Sequence, residues 1–129
     1  MREPVWIAER EALAIHSRLL ALEGGPAGVR DAQLLESALA RPRQLLAYGQ
    51  SPDIVDLAAA YTAGIVRNHP LVDGNKRTGF VVGILFLELN GHRFRATEES
   101  AAQAVLDLAA GRLDESAFGA WLRTNARRR

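Results

Sequence analysis

The chain has no cysteine. This excludes disulfides, thiolate metal sites and a cysteine nucleophile. Neither sign of charge is in excess. The 16 Lys+Arg residues stand against 15 Asp+Glu, leaving +1, so no broad basic field points to nucleic acid. Long apolar runs are missing too. The longest, Gly79 to Leu87, is closed by Glu88 and falls far short of the roughly 20 apolar residues that cross a bilayer. Met1-Arg2-Glu3-Pro4 carries no apolar signal core, so nothing directs export. There is no internal repeat, no low-complexity tract, no Walker-A run and no kinase Gly-rich loop.

What is present is an ordinary globular composition over 129 residues, with 48% hydrophobic and 24% charged. That length suits one domain, 1–129, able to bury about two-thirds of its unfolded surface. Strand signals are nearly absent and helical periodicity runs almost throughout, which predicts an all-α bundle of about six helices. The first should span Ile7 to Glu23 and stop at Gly24-Gly25-Pro26. The second should start at the cap Asp31 and end near Arg41, because Pro42 disfavours helix before it. Arg43 to Ser51 reads as a helix end or a short hairpin. Pro52-Asp53 opens a third helix, with Ile54, Leu57, Ala58, Tyr61 and Ile65 on one face. The fourth, after Asp73-Gly74, is apolar on all sides from Phe80 to Leu87 and is expected at the centre of the bundle. Thr97 and Asp114 cap two more. His92 to Arg95 alternates and suggests a brief extended piece. The Arg127-Arg128-Arg129 end is expected to fray.

The chemistry concentrates between the third and fourth helices, in Asn68-His69-Pro70-Leu71-Val72-Asp73-Gly74-Asn75-Lys76-Arg77-Thr78. The first N–H groups of a helix have no internal partner and carry the positive end of its dipole, so they attract anions. Gly74 permits close approach, and Lys76 and Arg77 add a point charge and a planar fork suited to phosphate oxygens. Asp73 has two readings, the cap of the fourth helix or a ligand for magnesium shared with phosphates. His69 reads as a polar helix end when taken alone. Beside a phosphate cradle it becomes a general base for an attacking hydroxyl. No second histidine or carboxylate clusters with them, which disfavours a metal cage made by protein alone. Arg67 and His16 read as solvated helix residues and His92 as a turn residue. Trp6, Trp121 and the phenylalanines read as core.

The run His69 to Arg77 resembles the signature of the Fic/Doc (Fido) superfamily, written H-x-F-x-[D/E]-G-N-G-R-x-x-R in its Fic branch. Lys76 at the second glycine position is similar to the death-on-curing, or Doc, branch. The flanks Arg30-Asp31 with Leu34 to Ala38, and Leu85 to Gly91, are Doc-like, so the resemblance covers essentially the whole chain. Leu71 stands where Fic proteins carry Phe, a small change for an apolar anchor. Lys76 replaces a glycine that lets an α-phosphate settle close, and Phe80 replaces a second arginine.

The resemblance implies the all-α Fido fold and a toxin of a toxin–antitoxin module. It implies transfer of the γ-phosphoryl of ATP to a threonine of elongation factor Tu, which arrests translation. Within it, His69 is the base, Asp73 holds Mg²⁺, and Gly74, Asn75, Lys76 and Arg77 bind phosphates. It further implies a bacterial cytoplasmic setting, a separate antitoxin of Phd type, and no direct contact with membrane or nucleic acid. Residues 43–51 fall where relatives keep a target-docking flap. The inhibitory pattern [S/T]-x-x-x-E-[G/N] is absent, its nearest match, Ser17 to Glu23-Gly24, having the wrong spacing. Two alternatives remain open. One is adenylyl transfer of the Fic type, and the other is a non-catalytic Fido scaffold.

Overall fold

The computed structural model describes residues 2–129. Six helices form among them: α1 (Glu9–Glu23), α2 (Ala32–Tyr48), α3 (Ile54–Asn68), α4 (Asn75–Leu89), α5 (Glu98–Ala109) and α6 (Glu115–Thr124). Two short strands, β1 (His92–Phe94) and β2 (Ala126–Arg128), complete the fold. The architecture is the expected all-α one. No helix among the described residues is long and apolar enough to cross a membrane.

Local chemistry explains most boundaries. Asp31, Asp53, Thr97 and Asp114 each accept a hydrogen bond from an N–H in the first turn of the helix that follows. Asp53 and Asp56 cap reciprocally at the start of α3. Arg123 of α6 also reaches Asp53, at 2.9 Å. Burial raises the Asp53 carboxyl's pKa, but the Asp56 N–H and the Arg123 guanidinium outweigh it and hold it below the usual aspartate value.

The innermost helix is α3, not the one after Asp73-Gly74 as the apolar run suggests. From Val55 to Val66 every residue of α3 but Asp56 is buried, while Phe80, Ile84 and Leu85 of α4 are only partly covered. Small side chains make this possible. Ala58, Ala59, Ala60, Ala63 and Gly64 let α2, α4, α5 and α6 all pack against α3. The α3–α4 seam is the closest. A Cβ on Gly79 would lie 3.3 Å from the Thr62 carbonyl oxygen, and one on Gly83 would lie 3.1 Å from that of Ala58. The Thr62 hydroxyl donates to the Gly79 carbonyl at 2.8 Å across this seam.

Two other local readings are overturned. Pro42 does not end α2. It sits buried inside the helix, and the last turns carry Leu45 and Leu46 onto the core and Arg43 over the Trp6 ring. These contacts offset the lost i−4 hydrogen bond and the ring crowding that Pro imposes. Residues 43–48 are therefore helix, the first of the two readings for that stretch, and not a hairpin. The terminal arginines do not fray either. β2 pairs antiparallel with β1, in the register His92↔Arg128, Arg93↔Arg127 and Phe94↔Ala126. Local pattern cannot reveal a pairing between segments more than 30 residues apart.

Two outcomes follow for stability. Gly83→Ala should cost about 1–3 kcal/mol in urea unfolding, because the new methyl would meet Thr62 Oγ1 and a backbone carbonyl. Asp53→Ala should cost about 1 kcal/mol at pH 7 as a lost cap. That difference should fade in melts below about pH 4, since a carboxylate with a lowered folded pKa loses its contribution as the pH falls through that value.

Candidate functional site

α3 ends at Asn68, and His69 follows as its C-cap in the left-handed conformation, with φ 53° and ψ 51°. A non-glycine residue there carries backbone strain that its surroundings must hold. The restraint is visible. Arg30 donates from its guanidinium to the carbonyls of His69 (2.7 Å) and Asn68 (3.0 Å). The N–H groups of Arg30 and Asp31 both donate to the Pro70 carbonyl, and Val72 N–H donates to Gly28. The 28–31 loop thus splints the 69–72 loop, and the His69 side chain is left exposed.

Asn75 provides the second restraint. It is 3% exposed, and its Oδ1 accepts from Leu71 N–H while its Nδ2 donates to the Leu71 carbonyl, both at 2.9 Å. With both bonds made and the residue buried, the Asn75 side chain closes the loop, and its backbone N–H stands at the start of α4. Leu71, at 1% exposure, is the apolar anchor that its position suggests.

α4 then begins without a side-chain cap. Gly74 is its N-cap, in the left-handed region with φ 79°. The cap reading of Asp73 therefore falls, because the turn at Gly74 carries the Asp73 side chain off the helix axis. The first helical bond runs from Thr78 N–H to Gly74 O, so the N–H groups of Asn75, Lys76 and Arg77 have no helical partner. The Asp73 carboxylate is exposed and takes part in no hydrogen bond or ion pair among the described residues. Gly25 makes room for it, since a Cβ there would stand 2.6 Å from Asp73 Oδ2.

These groups share one cleft of about 690 Å³ between the end of α1, the start of α4 and α5. It holds His69, Asp73, Gly74, Lys76 and Arg77, so the residues read from the motif converge there. Phe80 of α4 and Ala101, Val105 and Leu106 of α5 add apolar lining, with the Glu98 carboxylate at the start of α5 beside them. Arg67 does not line the cleft. Arg77 is ion-paired with Glu23 at the end of α1, so an anion entering the cleft competes with that carboxylate. The buried Thr78 hydroxyl, on the cleft floor, has no hydrogen-bond partner among the described residues.

His16 was missed by the sequence reading. It is 4% exposed, and its Nε2 donates to the Asp73 carbonyl at 2.8 Å. A carbonyl only accepts, so the bond places a proton on Nε2. The neighbours Ile15, Ser17 and Arg18 suggested a surface position. The useful signal was the spacing Ala12, His16, Leu19, Leu20, which puts the imidazole on the inward stripe of α1.

No group of three or more histidines and carboxylates stands ready for a metal among the described residues. Asp73, a free carboxylate beside a row of unpaired N–H groups, has the donor chemistry for a magnesium ion that arrives with phosphates.

The Fic/DOC family profile matches residues 6–87, well over half of the chain. The chain is 47% identical over 75 residues to a protein named Toxin Doc from Mycolicibacterium smegmatis, covering 57% of each. It is 32% identical over 85 residues to Protein kinase doc of Escherichia phage P1, covering 66% of this chain and 68% of the phage protein. It thus spans little more than half the length of the first relative.

The loop geometry sets an expectation for three variants. Asn75→Ala leaves the Leu71 N–H and C=O unpaired in a buried place, and should lower unfolding stability by about 2–4 kcal/mol. His16→Leu strands one carbonyl and should cost about 1–2 kcal/mol, with His16→Gln recovering part of the loss through its amide N–H. Chemical denaturation of the three proteins checks this order.

Proposed function

The chain belongs to the Fic/DOC family, and on that premise we propose that it is a Doc-type toxin that transfers the γ-phosphoryl group of ATP to a protein hydroxyl. The observation that carries the reading is the convergence of His69 with three unpaired helix N–H groups in one cleft, held there by Asn75, Arg30 and His16. The names of the two relatives support the toxin and kinase classes. The acceptor, a threonine of elongation factor Tu, and the inhibitor, an antitoxin of Phd type in the bacterial cytoplasm, rest on the family resemblance.

In this reading the His69 imidazole takes the proton of the hydroxyl as its oxygen attacks the γ-phosphorus. The bond from the γ-phosphorus to the bridging oxygen breaks and ADP leaves. Charge on the phosphate oxygens is met by the N–H groups of Asn75, Lys76 and Arg77 and by the Lys76 ammonium, fixed dipoles that need no reorganisation. Asp73 would hold Mg²⁺, which when bound neutralises phosphate charge. Phe80 and the wall of α5 exclude water and offer a surface for the nucleoside. The base on a splinted loop and the N–H groups at the start of α4, which packs closely on the buried α3, keep a fixed relative geometry, which is what positional catalysis requires.

Adenylyl transfer is the second reading, favoured by Gly74, which matches the first glycine of the Fic signature. Labelled ATP separates the two. With elongation factor Tu as acceptor, label from the γ-position should appear on the factor. Label from the α-position would establish adenylyl transfer instead, and no transfer to any protein of a bacterial extract would leave a binding scaffold. His69→Ala should reduce transfer by about 10²–10⁴-fold with an unchanged melting temperature, because the side chain is exposed. Asp73→Asn should raise the magnesium concentration needed for half-maximal rate.

A further inference from the structure

The outer face of the β1–β2 sheet, at the end of α4 opposite the phosphate cradle, carries a cluster of arginines. Residues paired across antiparallel strands point to the same face. Phe94 and Ala126 point inward, Phe94 packing against Phe80 and Trp121. Alternation therefore turns the pair Arg93 and Arg127 outward, and both are exposed. Arg95 lies two residues beyond Arg93 on that face, its N–H bonded to the Asn125 carbonyl at 2.9 Å. Arg93, Arg95 and Arg127 line a concavity of about 240 Å³ together with Thr124 and Asn125. The Thr124 hydroxyl and the Asn125 amide already donate to the Trp121 carbonyl. The free donors are thus the three guanidinium groups, none of which has a carboxylate partner among the described residues.

Charge is segregated to an unusual degree here. The segments 91–95 and 124–129 contain five of the chain's 16 cations and none of its 15 carboxylates, so they carry +5 while the remainder carries −4. Like charges placed directly opposite in a sheet repel and weaken the pairing. Arg93 opposite Arg127 is such a pair, and a bound anion between the two would relieve it.

We propose that Arg93, Arg95 and Arg127 form a phosphate-binding site on the β1–β2 sheet. Three planar forks around one hollow match a multiply charged tetrahedral oxyanion better than a single carboxylate. The phosphate group belongs to a free polyphosphate or to a nucleic-acid backbone. The site goes beyond the function proposed above and does not depend on it. β1 follows the C-terminal end of α4, and a 15-residue helix separates it by about 22 Å from the phosphate cradle at the other end.

Amide chemical shifts of the full chain, titrated with inorganic pyrophosphate and separately with a short single-stranded RNA, test this directly. Each amide reports for itself, so pyrophosphate entering the cleft is seen apart. The proposal expects saturable shifts at residues 93–95 and 125–127. The double variant Arg93→Thr with Arg127→Thr should bind at least about tenfold more weakly. It should also melt higher than the parent at low salt, since the repulsion is gone. Arg95→Thr, outside the paired register, should weaken binding without that gain. Shifts with pyrophosphate alone identify a free polyphosphate. Shifts with RNA, with a log–log salt slope of about −2 that flattens in the variants, identify a nucleic-acid backbone. The proposal is overturned if neither anion moves these amides, if polyglutamate moves them as strongly as phosphate does, or if the substitutions leave the titrations unchanged.

Discussion

The paired hydrogen bonds between the Asn75 side chain and the Leu71 backbone are the constraint on which the rest of the cleft depends. They are buried, so water cannot substitute for either, and they join the first residue of α4 to the middle of the loop before it. With that closure in place, the chain must turn at Gly74, α4 must begin without a side-chain cap, and three N–H groups are left facing the cleft. The same closure holds His69 at the near side of the cleft, because only four residues separate it from Gly74. One side-chain amide thereby satisfies both the N–H and the C=O of a single buried residue.

The packing beneath explains why this arrangement is rigid. α3 delivers His69 and α4 delivers the N–H groups, and these two helices share the tightest seam in the molecule. Gly79, Gly83 and Thr62 bring the backbones close and hydrogen-bond them to each other. Displacement of one helix relative to the other would open a void in a core where small residues leave little to readjust. α1 completes the site from outside the motif, through the imidazole of His16 and the carboxylate of Glu23. The histidine holds a peptide in place, while the glutamate occupies Arg77 and so sets what an entering anion must displace.

Much of the fold was legible because it is locally encoded. The capping aspartates, the helix-ending glycines and the period of apolar residues placed six helices, with α2 alone running well past its expected end, from Arg41 to Tyr48. The site residues were legible for a related reason. His69, Asp73, Gly74, Lys76 and Arg77 lie within nine positions of one another, and the spacing of a turn followed by a helix start brings them to one place without help from the remainder of the chain. The errors have a common character. Pro42 read as a stop, but Leu45 and Leu46 gain enough burial to carry the helix through it. His16 read as solvated, since its sequence neighbours are not its spatial ones. Asp73 read equally well as a cap, and the left-handed turn at Gly74 decided otherwise.

The sequence by itself determined the helical class, the helix starts and the cleft's polar groups that lie between His69 and Arg77, because these follow from contacts within about one turn of helix or one tight loop. Only the tertiary structure decided that α3 rather than α4 is innermost, since an apolar run shows what can be buried but not what surrounds it. It also decided that the Asn75 side chain is a clamp, that His16 and Glu23 reach the motif from α1, and that the terminal arginines pair with β1. Each of these joins residues whose partners are set by how helices pack, and packing depends on every side chain in the core at once.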